Sequence, residues 1–420
     1  MWSNKFDTSV AKLIATVICG TGLISVPAIA QTQLINNGGF ESGLAGWTVF
    51  DQAGGSGSFF VATGTGSPGG GAGGAGCVPT VGPKTGTFYA GSAQSGPGAH
   101  ALLQTFTVSP AAVGARKIVL EFDMFINDCD GGFINPAGLD YTAVPNEHGR
   151  VDLLSATGTP LTTTVGVLRN FYIGNDGLTS ASRPYIHYTF DISNDVGAGG
   201  TFQIRFAEVD NQNFFTQGVD NVSILVTDLN VFQVRYAANL TGGDSVINLT
   251  NTGANGASLN GPGFGGAAGN ICVNVYAFSP DEQLVSCCSC LITPNGLASL
   301  SVNSDLISNT LTGVRPNSVV VKLVNTGAGD RFTGTSCTNS AAVAGTAAFP
   351  LAAGMLGFGT TIHAAPVAGT FGVTETPFLS ATLSTQELAS ITNRCANIIG
   401  NGSTFGICRS CRVGGLASDR

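Results

Sequence analysis

Eleven cysteines, four histidines and 25 acidic residues are the side chains of this 420-residue chain with chemistry to offer, and their spacing narrows what that chemistry is. Cys287-Cys288-Ser289-Cys290 and Cys408-Arg409-Ser410-Cys411 form two C-x-x-C pairs. Four thiolates suit a tetrahedral zinc site, and a single pair suits thiol–disulfide exchange. Here 117 residues separate the pairs, far more than in a zinc ribbon, and no βαβ pattern surrounds either. In an oxidising compartment the same residues close as disulfides, which is the expectation adopted. On a strand, Cys287 and Cys288 point to opposite faces and take different partners.

The histidines give less. A Ser-His-Asp triad can assemble from distant positions, but nothing local marks one around His100, His148, His187 or His363. His187, in Tyr185-Ile186-His187-Tyr188, reads as a strand residue. Glu147-His148 is the one acid–imidazole neighbour pair and reads as loop. A glycosidase needs two carboxylates at a defined separation. Glu121, Asp123, Asp128, Asp130, Glu208 and Asp210 are available, and the sequence does not say which of them face each other. The acidic turn Asn127-Asp128-Cys129-Asp130-Gly131-Gly132 lacks the remaining ligands of an EF-hand loop. A loop tied by Cys129 to Cys77 is the plainer reading. Two glycine strings, Gly64 to Gly69 and Gly261 to Gly266, match a dinucleotide fingerprint by chance, since neither joins a strand to a helix. Phosphate-loop, H-E-x-x-H and G-x-S-x-G motifs are absent.

Composition sets the frame for these residues. Only 10% of the chain is charged, against about 25% in an average soluble domain, while 43% is hydrophobic and 60 residues are glycine. Twenty-five phenylalanines argue for a packed core rather than disorder. Lys5 and Lys12, the apolar run Leu13 to Ile29 and Ala28-Ile29-Ala30 have the order of a secretory signal, so residues 1–30 are expected to be removed. A secreted location, extracellular or periplasmic, follows, with no membrane segment in the mature chain. Ten cysteines remain: Cys77, Cys129, Cys272, Cys287, Cys288, Cys290, Cys337, Cys395, Cys408 and Cys411. Two precede residue 228 and eight follow it, so each side can close its own bridges. Beyond the leader the only lysines are Lys84, Lys117 and Lys322, and the arginines are scattered. Nucleic-acid binding needs clustered basic charge and is excluded, and an anionic membrane surface is disfavoured for the same reason.

The elements that must position these residues are mostly strands. Over 31–228, short runs rich in branched and aromatic residues alternate with turn residues, the pattern of a sandwich. Examples are Ala101 to Val108, Lys117 to Ile126, Val151 to Leu154, Tyr185 to Ile192, Thr201 to Val209 and Val219 to Val226. Gly54 to Gly76 reads as a long flexible loop. Over 229–420, strands are expected at Val231 to Ala237, Ser245 to Leu249, Asn270 to Phe278, Gln283 to Cys287, Ser318 to Val324 and Thr360 to Ala364. Ser279-Pro280-Asp281-Glu282 suits a hairpin turn or, alternatively, a helix capping box. One helix is expected near the end: Ser384-Thr385-Gln386-Glu387 is a capping box, Leu383 and Leu388 its staple, Gly400 its stop, and Cys395 falls on the apolar face.

Leu34-Ile35-Asn36-Asn37-Gly38-Gly39-Phe40-Glu41, followed by Gly46-Trp47, opens the first half, and Gly218-Val219-Asp220-Asn221-Val222-Ser223-Ile224 closes it. This pair of ends resembles the jelly-roll carbohydrate-binding modules of the galactose-binding-like group. The resemblance implies that first and last strands meet and that Glu41 and Asp220 help hold a structural calcium, for which hard oxygen ligands are suited. The stretch Asn270 to Leu323 is similar to uncharacterised exported bacterial proteins. The chain is therefore expected to be all-β in the main. A jelly-roll sandwich over 31–228 precedes a disulfide-rich, mostly β domain over 229–420 with one terminal α-helix. Trp47 reads as core; Tyr89, Tyr141, Tyr172, Tyr185 and Tyr188 are expected to be exposed, on faces the sequence does not place. The functional expectation is a secreted, non-catalytic protein that binds a glycan or cell-surface polymer. The alternatives are a structural envelope or matrix protein and a carbohydrate-active hydrolase.

Overall fold

The computed structural model describes residues 31–66, 80–93, 95–128, 138–175, 183–212, 215–257, 268–328, 336–409 and 411–413. The leader, Cys77, Cys129 and Asp130 lie outside the described residues.

Eleven antiparallel strands build the first half: β1 (Gln31–Gln33), β2 (Thr48–Asp51), β3 (Ser58–Ala62), β4 (Tyr89–Ala93), β5 (Gly98–Val108), β6 (Arg116–Asp128), β7 (Glu147–Ser155), β8 (Val167–Gly174), β9 (Ile186–Asp191), β10 (Gly200–Asp210) and β11 (Phe215–Asp228). Sheet I has the order β3-β4-β11-β6-β9, with β1 added on β11; sheet II has the order β2-β5-β10-β7-β8. Non-sequential neighbours in both sheets are those of a jelly-roll sandwich. Strand periodicity fills the space between them: Ile204 and Phe206 turn toward sheet I and are fully buried beside Phe40, Leu102, Phe106 and Phe122. Trp47 joins this core, its ring 5.3 Å from that of Phe40 and 6.1 Å from that of Phe206. Burying each such aromatic contributes about 2–3 kcal/mol.

Two expectations change. Gly54 to Gly76 is not a continuous loop, because Ser58-Phe59-Phe60-Val61-Ala62 forms β3 and Phe59 is buried. Glu147-His148 is not a loop pair. Both residues open β7, both are fully buried, and alternation sends them to opposite faces.

The second half contributes β12 (Phe232–Ala237), β13 (Val246–Asn251), β14 (Ile271–Phe278), β15 (Leu284–Ile292), β16 (Leu297–Ser301), β17 (Val319–Gly327), β18 (Met355–Ala364), β19 (Phe371–Pro377), β20 (Leu379–Ser380) and β21 (Arg412–Val413). Sheet III runs β15-β14-β17-β12-β20 and sheet IV runs β19-β18-β13-β16-β21. Between them lies a second core of Leu249, Val273, Val275, Leu300, Val321 and Leu323. Ser279 to Glu282 is a hairpin turn, closed by Ser279 N–H to Gln283 O and Glu282 N–H to Ser279 O (both 3.0 Å).

A short helix α1 (Ser193–Val196) precedes the terminal helix α2 (Thr385–Gly400). Ser384 caps α2, its Oγ accepting the Glu387 N–H at 3.1 Å, a bond that contributes about 1 kcal/mol. Glu387 does not complete the box; its carboxylate reaches Lys322 Nζ at 2.5 Å instead. Gly400 is the last helical residue rather than the stop, and Asn401 caps in right-handed geometry. Ile391, Cys395 and Ile398 bury α2 against the outer face of sheet III. Ala111, Ala112 and Ala115 of the first half belong to the same cluster, and Ala112 N–H donates to Leu383 O at 2.9 Å.

Four disulfides hold the second half: Cys272–Cys337, Cys287–Cys395, Cys288–Cys408 and Cys290–Cys411. The adjacent pair 287/288 takes different partners, as strand geometry requires. Three of the bridges fasten α2 and the segment that follows it to the single strand β15.

Candidate binding surface on sheet I

The two ends singled out in the sequence do meet. β1 pairs with β11 through Gln33 and Leu225, Leu34 N–H donates to Ile224 O (2.9 Å), and Val222 N–H donates to Gly38 O (3.0 Å). A Cβ on Gly38 would stand 1.8 Å from Val222 O, so the approach requires glycine. Opposite this contact, β11 bulges between Asp220 and Ser223 in its pairing with β6. Asn221 adopts φ 52°, a conformation asparagine tolerates better than most residues, and the bulge re-aims its amide.

Glu41 and Asp220 converge on one loop. Glu41 Oε1 accepts the N–H groups of Thr87 (2.8 Å) and Phe88 (3.0 Å). Asp220 Oδ2 accepts those of Lys84 (2.8 Å) and Thr85 (3.1 Å), and its Oδ1 meets the adjacent Asn221 N–H at 2.7 Å. Gly86 lies between, at φ +65°, where a Cβ would press on Glu41 Oε1 at 2.2 Å. Burial raises the Asp220 pKa; the N–H bonds from Thr85, Asn221 and Lys84 oppose that rise only in part, and the nearby Asp123 charge adds to it. Each carboxylate thus commits one oxygen to the loop, leaving Glu41 Oε2 and Asp220 Oδ1 as hard oxygens beside a buried negative charge. That chemistry suits a cation, although among the described residues no three His, Cys, Asp or Glu side chains gather into a metal-binding group.

From Asp220 a chain of polar side chains crosses the outer face of sheet I. Thr85 Oγ1 donates to Asn221 Oδ1 (2.6 Å), and Asn221 Nδ2 donates to Asp123 Oδ2 (3.0 Å). Asp123 Oδ1 lies 3.3 Å from His187 Nδ1, and His187 Nε2 lies 3.2 Å from Thr189 Oγ1. The strand register sets this up, since Asp123 pairs with both Asp220 on β11 and His187 on β9. Acid, imidazole and hydroxyl stand in the order of a catalytic triad. Thr189, however, sits mid-strand rather than on a turn that would present N–H groups to an oxyanion. What the array offers is fixed donors and acceptors beside a half-exposed imidazole, a pattern suited to hydroxyl groups.

The tyrosines correct the sequence reading. Tyr89 is fully buried, with its hydroxyl 2.8 Å from Thr80 Oγ1, and burial raises its pKa. Tyr141, Tyr172, Tyr185 and Tyr188 are half-buried. Tyr185 packs edge-on against Phe125 and donates to Gly82 O (3.0 Å), and Tyr188 stacks on Phe122 at 5.0 Å. None of the five presents an open platform.

Loops of the chain itself cover the outer face of sheet II around Arg205, while Phe50 of β2, on the same face, stays 40% exposed. Arg205, wholly buried, donates to Pro160 O and Thr162 O (2.7 Å each) and to Asp152 Oδ2 (2.5 Å). Arg150 also binds Asp152. Burial pushes the Asp152 carboxyl up, but the two guanidinium groups outweigh it and hold it below its usual range. Gln203 Nε2 fastens Ser155 O and Gly158 O, while Asn211 Nδ2 fastens Tyr141 O and Ala143 O. Burial, with Arg150 alongside, pushes His148 down to about 4, so it is neutral beneath this cover.

Of the candidate hydrolytic carboxylates, Glu208 and Asp210 do come together, with Glu147 as neighbour, but all three are buried between the sheets. A polysaccharide does not reach them.

No family model and no curated protein matches the chain. Solved structures do. A family 61 carbohydrate-binding module, TmCBM61, in complex with β-1,4-galactotriose, is similar at 10% identity and TM-score 0.26 over 46% of this chain and 97% of that one. The family 11 module from Clostridium thermocellum, in complex with a β-1,3-1,4-mixed-linked tetrasaccharide, is similar at 13% identity and TM-score 0.23 over 47% and 96%. The tandem CBM22 modules of Paenibacillus barcinonensis Xyn10C are similar at 10% identity and TM-score 0.28 over 71% and 90%. With TM-scores below 0.5 these likenesses carry no weight for ligand or mechanism, which must come from this chain's own side chains.

Proposed function

We propose that this is a secreted, non-catalytic protein whose N-terminal sandwich binds a glycan or cell-surface polymer. The observation that carries the reading is the array Thr85–Asn221–Asp123–His187–Thr189 on the outer face of sheet I. It is pre-ordered by its own hydrogen bonds, and preorganisation reduces the entropy lost on binding. A neutral polymer suits a chain of 10% charged residues. Substituting His187→Ala or Asn221→Ala removes a hydrogen bond to ligand, so the Kd for the cognate polysaccharide rises about 3- to 10-fold per substitution. Affinity electrophoresis measures this, and unchanged mobility of both variants would contradict the assignment.

Calcium at Glu41 and Asp220 belongs to the same proposal. It is supported by two carboxylates drawn from opposite ends of the half onto one loop, each keeping an oxygen uncommitted to that loop. A bound cation would stabilise the buried Asp220 charge, so millimolar calcium raises the melting temperature and a chelator lowers it. A chelator without effect would remove calcium from the account.

One observation favours the structural alternative: loops close over sheet II around Arg205, and the five tyrosines expected at the surface are withdrawn from it. A matrix protein would show no saturable binding to any polysaccharide.

A further inference from the structure

The second half carries a row of aromatic and apolar side chains that is covered at one end only. Tyr236, Val320, Phe278 and Leu284 are register neighbours across β12, β17, β14 and β15, on the outer face of sheet III. α2 covers this face at Ile391, Cys395 and Ile398, leaving Tyr236 61% exposed and Val320 36% exposed. Beside Val320 opens a cleft of about 330 Å³, lined among others by Phe278, Lys322, Glu387, Ser390, Arg394 and Glu282. The volume lies within the range of small-ligand sites.

The cleft is braced. Lys322 Nζ lies 4.7 Å above the Phe278 ring and bonds Glu387; Arg394 Cζ lies 5.9 Å from the same ring, and its Nη1 donates to Glu282 O at 3.0 Å. Two cations and two carboxylates leave the lining near neutral, which disfavours a charged occupant. Guanidinium and ammonium groups donate, carboxylates accept, and Ser390 does both. An exposed aromatic face next to such an alternating polar lining fits the two sides of a pyranose, its C–H face and its hydroxyl rim.

We propose that this cleft and the Tyr236 ring form a subsite for a neutral oligosaccharide, independent of the array on sheet I. Tyr236 supplies the stacking surface, while Arg394, Glu387 and Ser390 bond the hydroxyls.

The full chain is run through native gels containing soluble mixed-linkage β-glucan, β-1,4-galactan or xylan, with polygalacturonate as the acidic comparison. Retardation by a neutral polymer that survives high salt is expected. Tyr236→Ala raises the Kd about tenfold, Tyr236→Trp preserves binding, and Arg394→Gln raises it several-fold. His187→Ala is run in parallel. If His187→Ala weakens retardation and Tyr236→Ala does not, this subsite is overturned while the sheet I reading stands; the reverse pattern separates them the other way. Retardation by no neutral polymer, or by polygalacturonate alone and only at low salt, overturns the proposal. So does a Tyr236→Ala effect that gel filtration traces to loss of self-association, since the patch would then dock another copy of the chain.

Discussion

Glu208 sits out of reach of solvent between sheets I and II, with Asp210, Glu147 and Asp51 as charged neighbours. Burial first, and those three carboxylates next, raise its pKa well above the usual 4.5, against the opposing Ser92 hydroxyl. His100 Nε2 stands 3.8 Å from its Oε1. The sign follows from linkage. Between 4.5 and the raised folded value, the native chain keeps a proton that the unfolded chain has shed. Stability from this site is therefore present in full below the unfolded pKa and declines as pH rises through that window. Glu208→Gln keeps the shape without the ionisation, so its advantage over the parent should grow as pH rises above the ordinary 4.5 of a glutamate. Each tenfold difference in proton affinity between folded and unfolded chains corresponds to about 1.4 kcal/mol, or roughly 3–6 °C in melting temperature for a domain of this size. Thermal melts across that pH range check this; parallel curves for the two proteins would show that Glu208 is not the titrating group.

Among the elements, α2 and β15 are the pair on which the second half depends. Cys395 is fully buried on α2 and bridged to Cys287 across 108 residues of sequence. Cutting that loop releases unfolded-state entropy, so Cys395→Ser should cost about 2–4 kcal/mol. In calorimetry the transition of the second half is expected to fall by several degrees while that of the first half stays in place. A common shift of a single transition would show that the halves unfold as one unit. This helix is legible in the sequence because cap, staple and apolar face all coincide in a few residues. The long strands β6, β10 and β14 are legible because branched and aromatic residues recur along them. β3 is not, because Phe59-Phe60-Val61 is embedded in a glycine-rich run and its partner β4 begins only at Tyr89. The array on sheet I is hidden for a related reason. Asp123, His187 and Asn221 are adjacent only through strand register and a bulge, and neither leaves a local trace in the sequence. Glu41 and Asp220 stand out through the resemblance, and their meeting on loop 84–88 comes from the close approach at Gly38.

For the whole molecule, strand pairing divides the chain at residues 229–231: sheets I and II use strands up to Asp228, and sheets III and IV strands from Phe232 onward. We propose that these are two domains, although they share the apolar cluster around Ala112 and Leu383. Leu229 N–H donates to Ala115 O and Val231 is buried, so the joint is a short, tethered connection rather than an open linker. Among the described residues no helix is long and apolar enough to cross a membrane. A glycan-binding account of such a molecule makes one demand above the others: saturable recognition of a sugar polymer by the intact chain. A glycan array probed with the full-length protein at physiological and at high salt measures it most directly. The account predicts binding to one class of neutral glycan that persists at high salt, with the glycan left uncleaved. A blank array, with the protein folded and its disulfides closed, would contradict it and leave the structural reading in its place.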